Sequence, residues 1–230
     1  MNSHRTRTLL IDADDTLWEN NIYFERVILE AQDMLKPLGV DPADFRIRLN
    51  QAEREHIITH GYGTVNFTRS LVKTFEASLP SGGDGAVQTR VRELALGILN
   101  HPLELLEGVP ETLAYLSGRH RLYLVTKGNH EEQSAKIESS RLRSYFLGVE
   151  ILAEKDTSAF RRLLEKHSLV TDDTWMIGNS PRSDINPAIS AGMNAVYIPH
   201  PHTWILEHEE PVRHPRLLEV ERFSDLRSHF

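Results

Sequence analysis

The sequence predicts an α/β fold, a doubly wound parallel sheet interrupted by a helical insertion, and three observations carry that expectation. Short apolar runs at 8–11, 122–125, 149–152 and 175–177 are each closed by Asp, Gly, Lys or Asn, as buried strands ending at turns would be. Helical periodicity at 131–143 and 158–167 lies between the later runs, so strand and helix alternate. The stretch between the first two runs is far longer than a single crossover helix requires.

Taken in order, the first strand, 8–11, runs directly into an acidic segment and then into the insertion. There Val27, Ala31, Met34, Leu35 and Leu38 fall on one helical face. Asp41 followed by Pro42 makes an N-cap and first-turn pair for a second helix. The segments 67–77 and 87–99 supply two more helices, with Ser81-Gly82-Gly83-Asp84-Gly85 as the loop between them. The insertion therefore reads as a bundle of about four helices. After the second, third and fourth strands a fifth is expected at 195–198, following Gly192. Beyond Pro199 the chain is rich in His, Pro and Glu, and only a loop and a last helix are expected. The domain division that follows is 1–19 with 104–230 for the α/β core and 20–103 for the helical insertion.

Composition narrows the function. The 230 residues include 40% hydrophobic and 26% charged residues, values of a water-soluble globular chain, and the net charge is −7. An acidic chain with no long basic run is a poor partner for a nucleic acid polymer, so a small molecule is expected. Cysteine is absent, which excludes disulfides, thiolate metal sites and a cysteine nucleophile. No apolar stretch suits a signal peptide or a membrane span, so the expected location is the cytoplasm, with no membrane partner. Oligomeric state is not readable.

Ligands of open α/β sheets bind beyond the carboxyl ends of the strands. Here those ends carry a coherent set. Strand one runs into Asp12-Ala13-Asp14-Asp15-Thr16 and strand two into Thr126-Lys127-Gly128-Asn129. Lys155 follows strand three, and Gly178-Asn179-Ser180-Pro181-Arg182-Ser183-Asp184 follows strand four. Acids, a hydroxyl and a cation on one edge suit phosphoryl transfer, which needs a nucleophile, neutralisation of phosphoryl oxygens and a proton donor for the leaving oxygen. Carboxylates from different strand ends, such as Asp12 and Asp184, suit a shared magnesium ion.

These four motifs, in this order, resemble the haloacid dehalogenase superfamily, whose members are mostly phosphatases with a Rossmann-like core and a cap inserted after the first motif. The resemblance covers the core and says nothing of the insertion's own sequence. It implies that Asp12 attacks phosphorus to form an aspartyl phosphate. Asp14 would protonate the leaving alcohol and then activate water. Thr126, Lys127, Gly128 and Lys155 would bind the phosphoryl group, and Mg2+ would be held by Asp12, Asp14 through its carbonyl, and Asp184. The expected reaction is hydrolysis of a small phosphorylated metabolite. A phosphomutase, a haloacid dehalogenase and a catalytically retired phosphate-ester binding protein are the alternatives. A dehalogenase has no need of an acid at Asp14.

Several residues read two ways. The fourth motif often carries an acid directly after its glycine, whereas this chain has Asn179, either a neutral metal ligand or a residue orienting a bound water. Lys127 either reaches phosphate or faces solvent. Trp18, Glu19, Asn20 and Asn21 line the entrance or, the favoured reading, form a hinge, and Asp15 reads as a variable non-ligand. His56 and His60 read as a solvated helical face without a third metal ligand. Gly61-Tyr62-Gly63 reads as a specificity loop or an interhelical turn. The segment Pro199 to Trp204 lies at the rim of the site or forms a rigid surface loop.

Overall fold

The protein is described by a computed structural model that covers residues 5–79 and 85–230. Its sheet holds six strands: β1 (Thr8–Ile11), β2 (Arg121–Lys127), β3 (Gly148–Leu152), β4 (Thr174–Gly178), β5 (Asn194–Tyr197) and β6 (Leu217–Glu219). All neighbours are parallel, in the order β3-β2-β1-β4-β5-β6. Five strands overlie the expected apolar runs. The sixth was not expected, because a strand of three residues, Leu217, Leu218 and Glu219, is too short to display a period; its pairing with β5 defines it.

Alternation along the strands makes the sheet two-faced. Leu9, Ile11, Leu122, Leu124 and Ile177 pack with Val109, Leu113 and Leu116 of α5 (Val109–Ser117) and with Ile137 of α6 (His130–Ser140). The intervening Leu10, Tyr123, Val125 and Met176 pack on the opposite face, with Phe160, Leu163 and Leu164 of α7 (Thr157–Lys166) and Ala188 of α8 (Asn186–Ser190). The period of two thus gives each face its own apolar layer. Strand order reverses at the central pair β1 and β4, whose carboxyl ends are where a ligand of such a sheet is expected.

The chain divides into two compact units, 5–19 with Leu103–Phe230, and Asn20–Pro102. The second unit contains α1 (Asn21–Leu35), α2 (Pro42–His60), α3 (Thr64–Ser78) and α4 (Gly85–Gly97). Its core joins Ala31, Leu35, Phe45, Leu49, Leu71, Phe75, Val91 and Ala95. Asp41 caps α2 by accepting the Asp44 amide hydrogen at 3.0 Å, with Pro42 in the first turn. Leu38 departs from the expected face. The helix gives way to a 3-10 turn through Pro37, the chain reverses at Gly39 (φ 78°), and Leu38 is exposed. Gly61 and Gly63, both at positive φ, form the turn between α2 and α3. The loop expected at Ser81-Gly82-Gly83-Asp84-Gly85 lies outside the described residues except for Gly85, which opens α4. Among the described residues no helix is long and apolar enough to cross a membrane.

Candidate active site

Three strand ends meet in a buried triad. Lys155, after β3, donates to Asp12 Oδ1 at 2.5 Å and also to Asp184 Oδ1, and all three side chains are almost wholly buried. Burial pushes the Asp12 carboxyl above its ordinary range, with Asp14 adding to the effect and Lys155 opposing it. Burial and the Asp12 charge push Asp184 up to about 7, again against Lys155. The Lys155 ammonium is held charged: the two carboxylates outweigh the desolvation that would lower its pKa. Two carboxyl groups therefore share one cation, and burial resists a second negative charge beside it.

Local chain geometry sets these groups. The tight turn after β1 closes with the Leu17 amide donating to the Ala13 carbonyl at 2.8 Å, and it carries Asp15 at φ 57°, a conformation Asp tolerates better than most residues. Asp184 sits in a π-helical turn, Pro181–Ile185, where its Oδ2 accepts the Ser180 amide hydrogen at 3.0 Å. Gly178 is required there, since a Cβ would lie 2.2 Å from Asp184 Oδ2. The Thr16 hydroxyl lies 3.0 Å from Asp12 Oδ2 and 3.3 Å from Asn179 Oδ1, tying the first motif to the fourth.

Asp14 belongs to a neighbouring cluster. Its oxygens accept from Trp18 Nε1 at 2.7 Å, from Gln133 Nε2 at 3.0 Å and from Lys136 Nζ at 2.9 Å on both oxygens. Gln133 Nε2 also donates to Thr126 Oγ1 at 2.7 Å. Two expected phosphate contacts are engaged elsewhere. The Lys127 ammonium donates to Glu207 at 2.6 Å, Ser183 at 2.8 Å and Glu154 at 3.1 Å, and so neither faces solvent nor stands apart for phosphate. The Gly128 amide donates to the Leu152 carbonyl at 3.1 Å, which takes up the hydrogen a phosphoryl oxygen would need. Asn129 caps α6 by accepting the amide hydrogens of Glu131 and Glu132.

A family model described as haloacid dehalogenase-like hydrolase matches residues 6–192. The chain belongs to that family. Among curated proteins, it is 27% identical to phosphoserine phosphatase of Thermus thermophilus, over 97% of this chain and 98% of that one. It is also 27% identical to human N-acylneuraminate-9-phosphatase, over 85% of this chain and 83% of that one. Among solved structures, a haloacid dehalogenase-like family hydrolase from Xanthomonas campestris superposes with a TM-score of 0.86 at 28% identity, covering 100% of this chain and 92% of the other.

In this hydrolase the segment after β5 contributes more than a surface loop. Glu207, buried and outside any apolar pattern, accepts from Lys127, from Ser180 at 2.6 Å and from Ser183. Burial alone would raise its pKa, but Lys127 and the two hydroxyls outweigh it and hold the carboxyl low. Thr203 accepts from Asn179 Nδ2 at 3.1 Å. His200 lies between Asp15 and Glu19, with nitrogens 3.8 and 3.4 Å from their carboxylates. These three residues form the one group among the described residues with metal-compatible spacing, and it is distinct from the expected set of Asp12, Asp14 and Asp184. Burial holds the His200 imidazole below its ordinary pKa against the pull of Glu19. Trp18 is 1% exposed, with its indole donating to Asp14. In the helical unit His56 bonds Ser70 at 2.7 Å and stacks edge-on with His60.

Sequence reasoning missed Gln133, Lys136 and Glu207. The first two carried a faint signal, since they stand three apart on the helix that follows the second motif and so share a face. Glu207 carried none.

Proposed function

We propose that this chain is a magnesium-dependent phosphatase that hydrolyses a small phosphate monoester through an aspartyl phosphate on Asp12. The observation that carries the reading is the separation of two acids with different surroundings: Asp12 in the buried triad with Lys155 and Asp184, and Asp14 in its own ring of donors. A halide leaves without a proton, whereas an alkoxide leaves well only when protonated, so a positioned second acid favours an ester substrate over a haloacid. The relatives named as phosphoserine and N-acylneuraminate-9 phosphatases support the same class.

The residues fit a hard divalent cation. The triad's two carboxyl groups already engage its one ammonium, Glu207 neutralises Lys127, and a phosphate dianion would bring charge that neither of these paired cations is left to balance. Asp12, Asp184 and the Asp14 carbonyl are the groups that would hold magnesium, which when bound supplies that charge and polarises a phosphoryl oxygen. Lys155 orients Asp12 and opposes the burial that favours its protonated form. Thr126 accepts its bond from Gln133, so its own hydrogen is left to donate to a phosphoryl oxygen. The core is the unit 5–19 with 103–230, and the unit 20–102 acts as the cap that discriminates among substrates.

The test is phosphate release from a panel of phosphorylated metabolites and an aryl phosphate, with magnesium or EDTA, for wild type and Asp12→Asn. Metal-dependent release that disappears in the variant is expected. Release that survives EDTA or the substitution would overturn the mechanism.

A further inference from the structure

The donors around Asp14 are arranged more completely than a surface carboxylate needs. A carboxylate offers about four lone-pair positions. Trp18 and Lys136 take those of Oδ1, and Gln133 and Lys136 take those of Oδ2. Trp18 is 1% and Gln133 3% exposed, so both are locked by packing, whereas the Lys136 side chain is 29% exposed on a flexible stem. Gln133 keeps its Oε1 buried without a hydrogen-bond partner while its Nε2 reaches Asp14, Thr126 and the Lys127 carbonyl. An orphaned acceptor is costly, and what the fold obtains for it is the placement of Nε2.

We propose that Gln133 and Lys136 are positioning residues for Asp14 in proton transfer, an inference that rests on the phosphatase reading. In the first step an Asp12 oxygen bonds to phosphorus, the bond from phosphorus to the ester oxygen breaks with its electron pair on that oxygen, and the Asp14 proton moves to it, releasing the alcohol. Lys136, on its flexible stem, leaves one Asp14 oxygen free to carry that proton and then compensates the carboxylate left behind, which favours the transfer. In the second step water gives its proton to Asp14 as its oxygen attacks phosphorus, and the bond from phosphorus to the Asp12 oxygen breaks with its pair on Asp12. Gln133 links the acid to the Thr126 hydroxyl, so proton donor and phosphate contact keep one register.

The role has a signature that general damage lacks. kcat/KM reports the chemistry only up to formation of the aspartyl phosphate, so it isolates the proton delivered to the leaving group. Nitrophenolate leaves readily without a proton and an alkoxide does not. Lys136→Met should therefore lower kcat/KM for an alkyl phosphate about tenfold more than for nitrophenyl phosphate, the same direction as an Asp14→Asn control. Lys136→Arg, which keeps the cation, should recover most of the difference. Gln133→Leu should show the same selective loss on top of an equal loss for every ester, because it also releases Thr126. Equal losses for both esters in Lys136→Met, or no loss, would overturn the proposal. Should that variant fail to give a native circular dichroism spectrum, Lys136→Gln makes the same comparison. Failure of the phosphatase reading looks different: wild type would release no phosphate from either ester, or Asp12→Asn would retain activity.

Discussion

Glu53 of α2 offers a test of the helical unit that is independent of catalysis. It is 6% exposed, its Oε2 has no hydrogen-bond partner, and burial pushes its pKa up to about 7 from 4.5, with Glu25 adding to the rise and Arg46 opposing it. The Arg46 guanidinium is itself committed to Glu25, at 2.6 and 2.8 Å. A raised folded pKa means that the native state holds the proton more tightly than the unfolded chain. Stability is then greatest below pH 4.5, falls as pH rises towards 7, and is flat above. The shift corresponds to at most about 3 kcal/mol lost at alkaline pH. Glu53→Gln removes the titration while nearly preserving shape. Thermal melts at pH 5 and pH 8.5 should show the variant gaining on wild type by about 5–10 °C between the two conditions, on the scale expected for a chain of this size. A difference that stays constant with pH, or shrinks, would refute the claim that a buried charge forms at Glu53.

The other expectations concern the catalytic edge. Glu207→Ala strips Lys127, Ser180 and Ser183 of their shared acceptor and should cost about 3 kcal/mol in urea unfolding at neutral pH. Because the Glu207 pKa is lowered, that contribution is present above its ordinary 4.5 and disappears as pH falls through the folded value, so the gap between variant and wild type should close in acid. Gly178→Ala places a methyl group 2.2 Å from Asp184 Oδ2 and 2.4 Å from its Cγ, and should reduce phosphate release by about a hundredfold or more, since even small misplacements at a reacting centre are severe. Retained activity in that variant would place Asp184 outside the chemistry.

What the sequence disclosed follows from what its periodicities encode. Apolar runs with period two locate strands, and the carboxyl ends of parallel strands share an edge, so Asp12, Thr126, Lys155 and Asp184 could be gathered without coordinates. Lys155 does meet Asp12 and Asp184 in one triad. Local signals also located the Asp41 cap of α2 and the start of that helix at Pro42. The engagement of Lys127 was unreadable because its partner, Glu207, lies 80 residues further on, in a segment without periodicity. Gly128 illustrates a different limit: a glycine after a strand looks like a phosphate-binding amide, and only the pairing of β2 with β3 reveals that its hydrogen is committed to Leu152.

The same segment accounts for the departure at Asn179. Its amide is used at both ends, with Oδ1 accepting from Thr16 and Nδ2 donating to Thr203. A carboxylate there would keep the first contact but lose the second, because it has no hydrogen to give. It would also add a further buried negative charge beside Asp12 and Asp184, whose pKa values are already raised by burial and, for Asp184, by the Asp12 charge. Lys127, neutralised by Glu207, is not left to balance such an acid. A neutral amide therefore suits this architecture: it joins the β1 turn, the β4 turn and the chain beyond β5 into one scaffold, and adds no further charge beside the two carboxyl groups that Lys155 contacts.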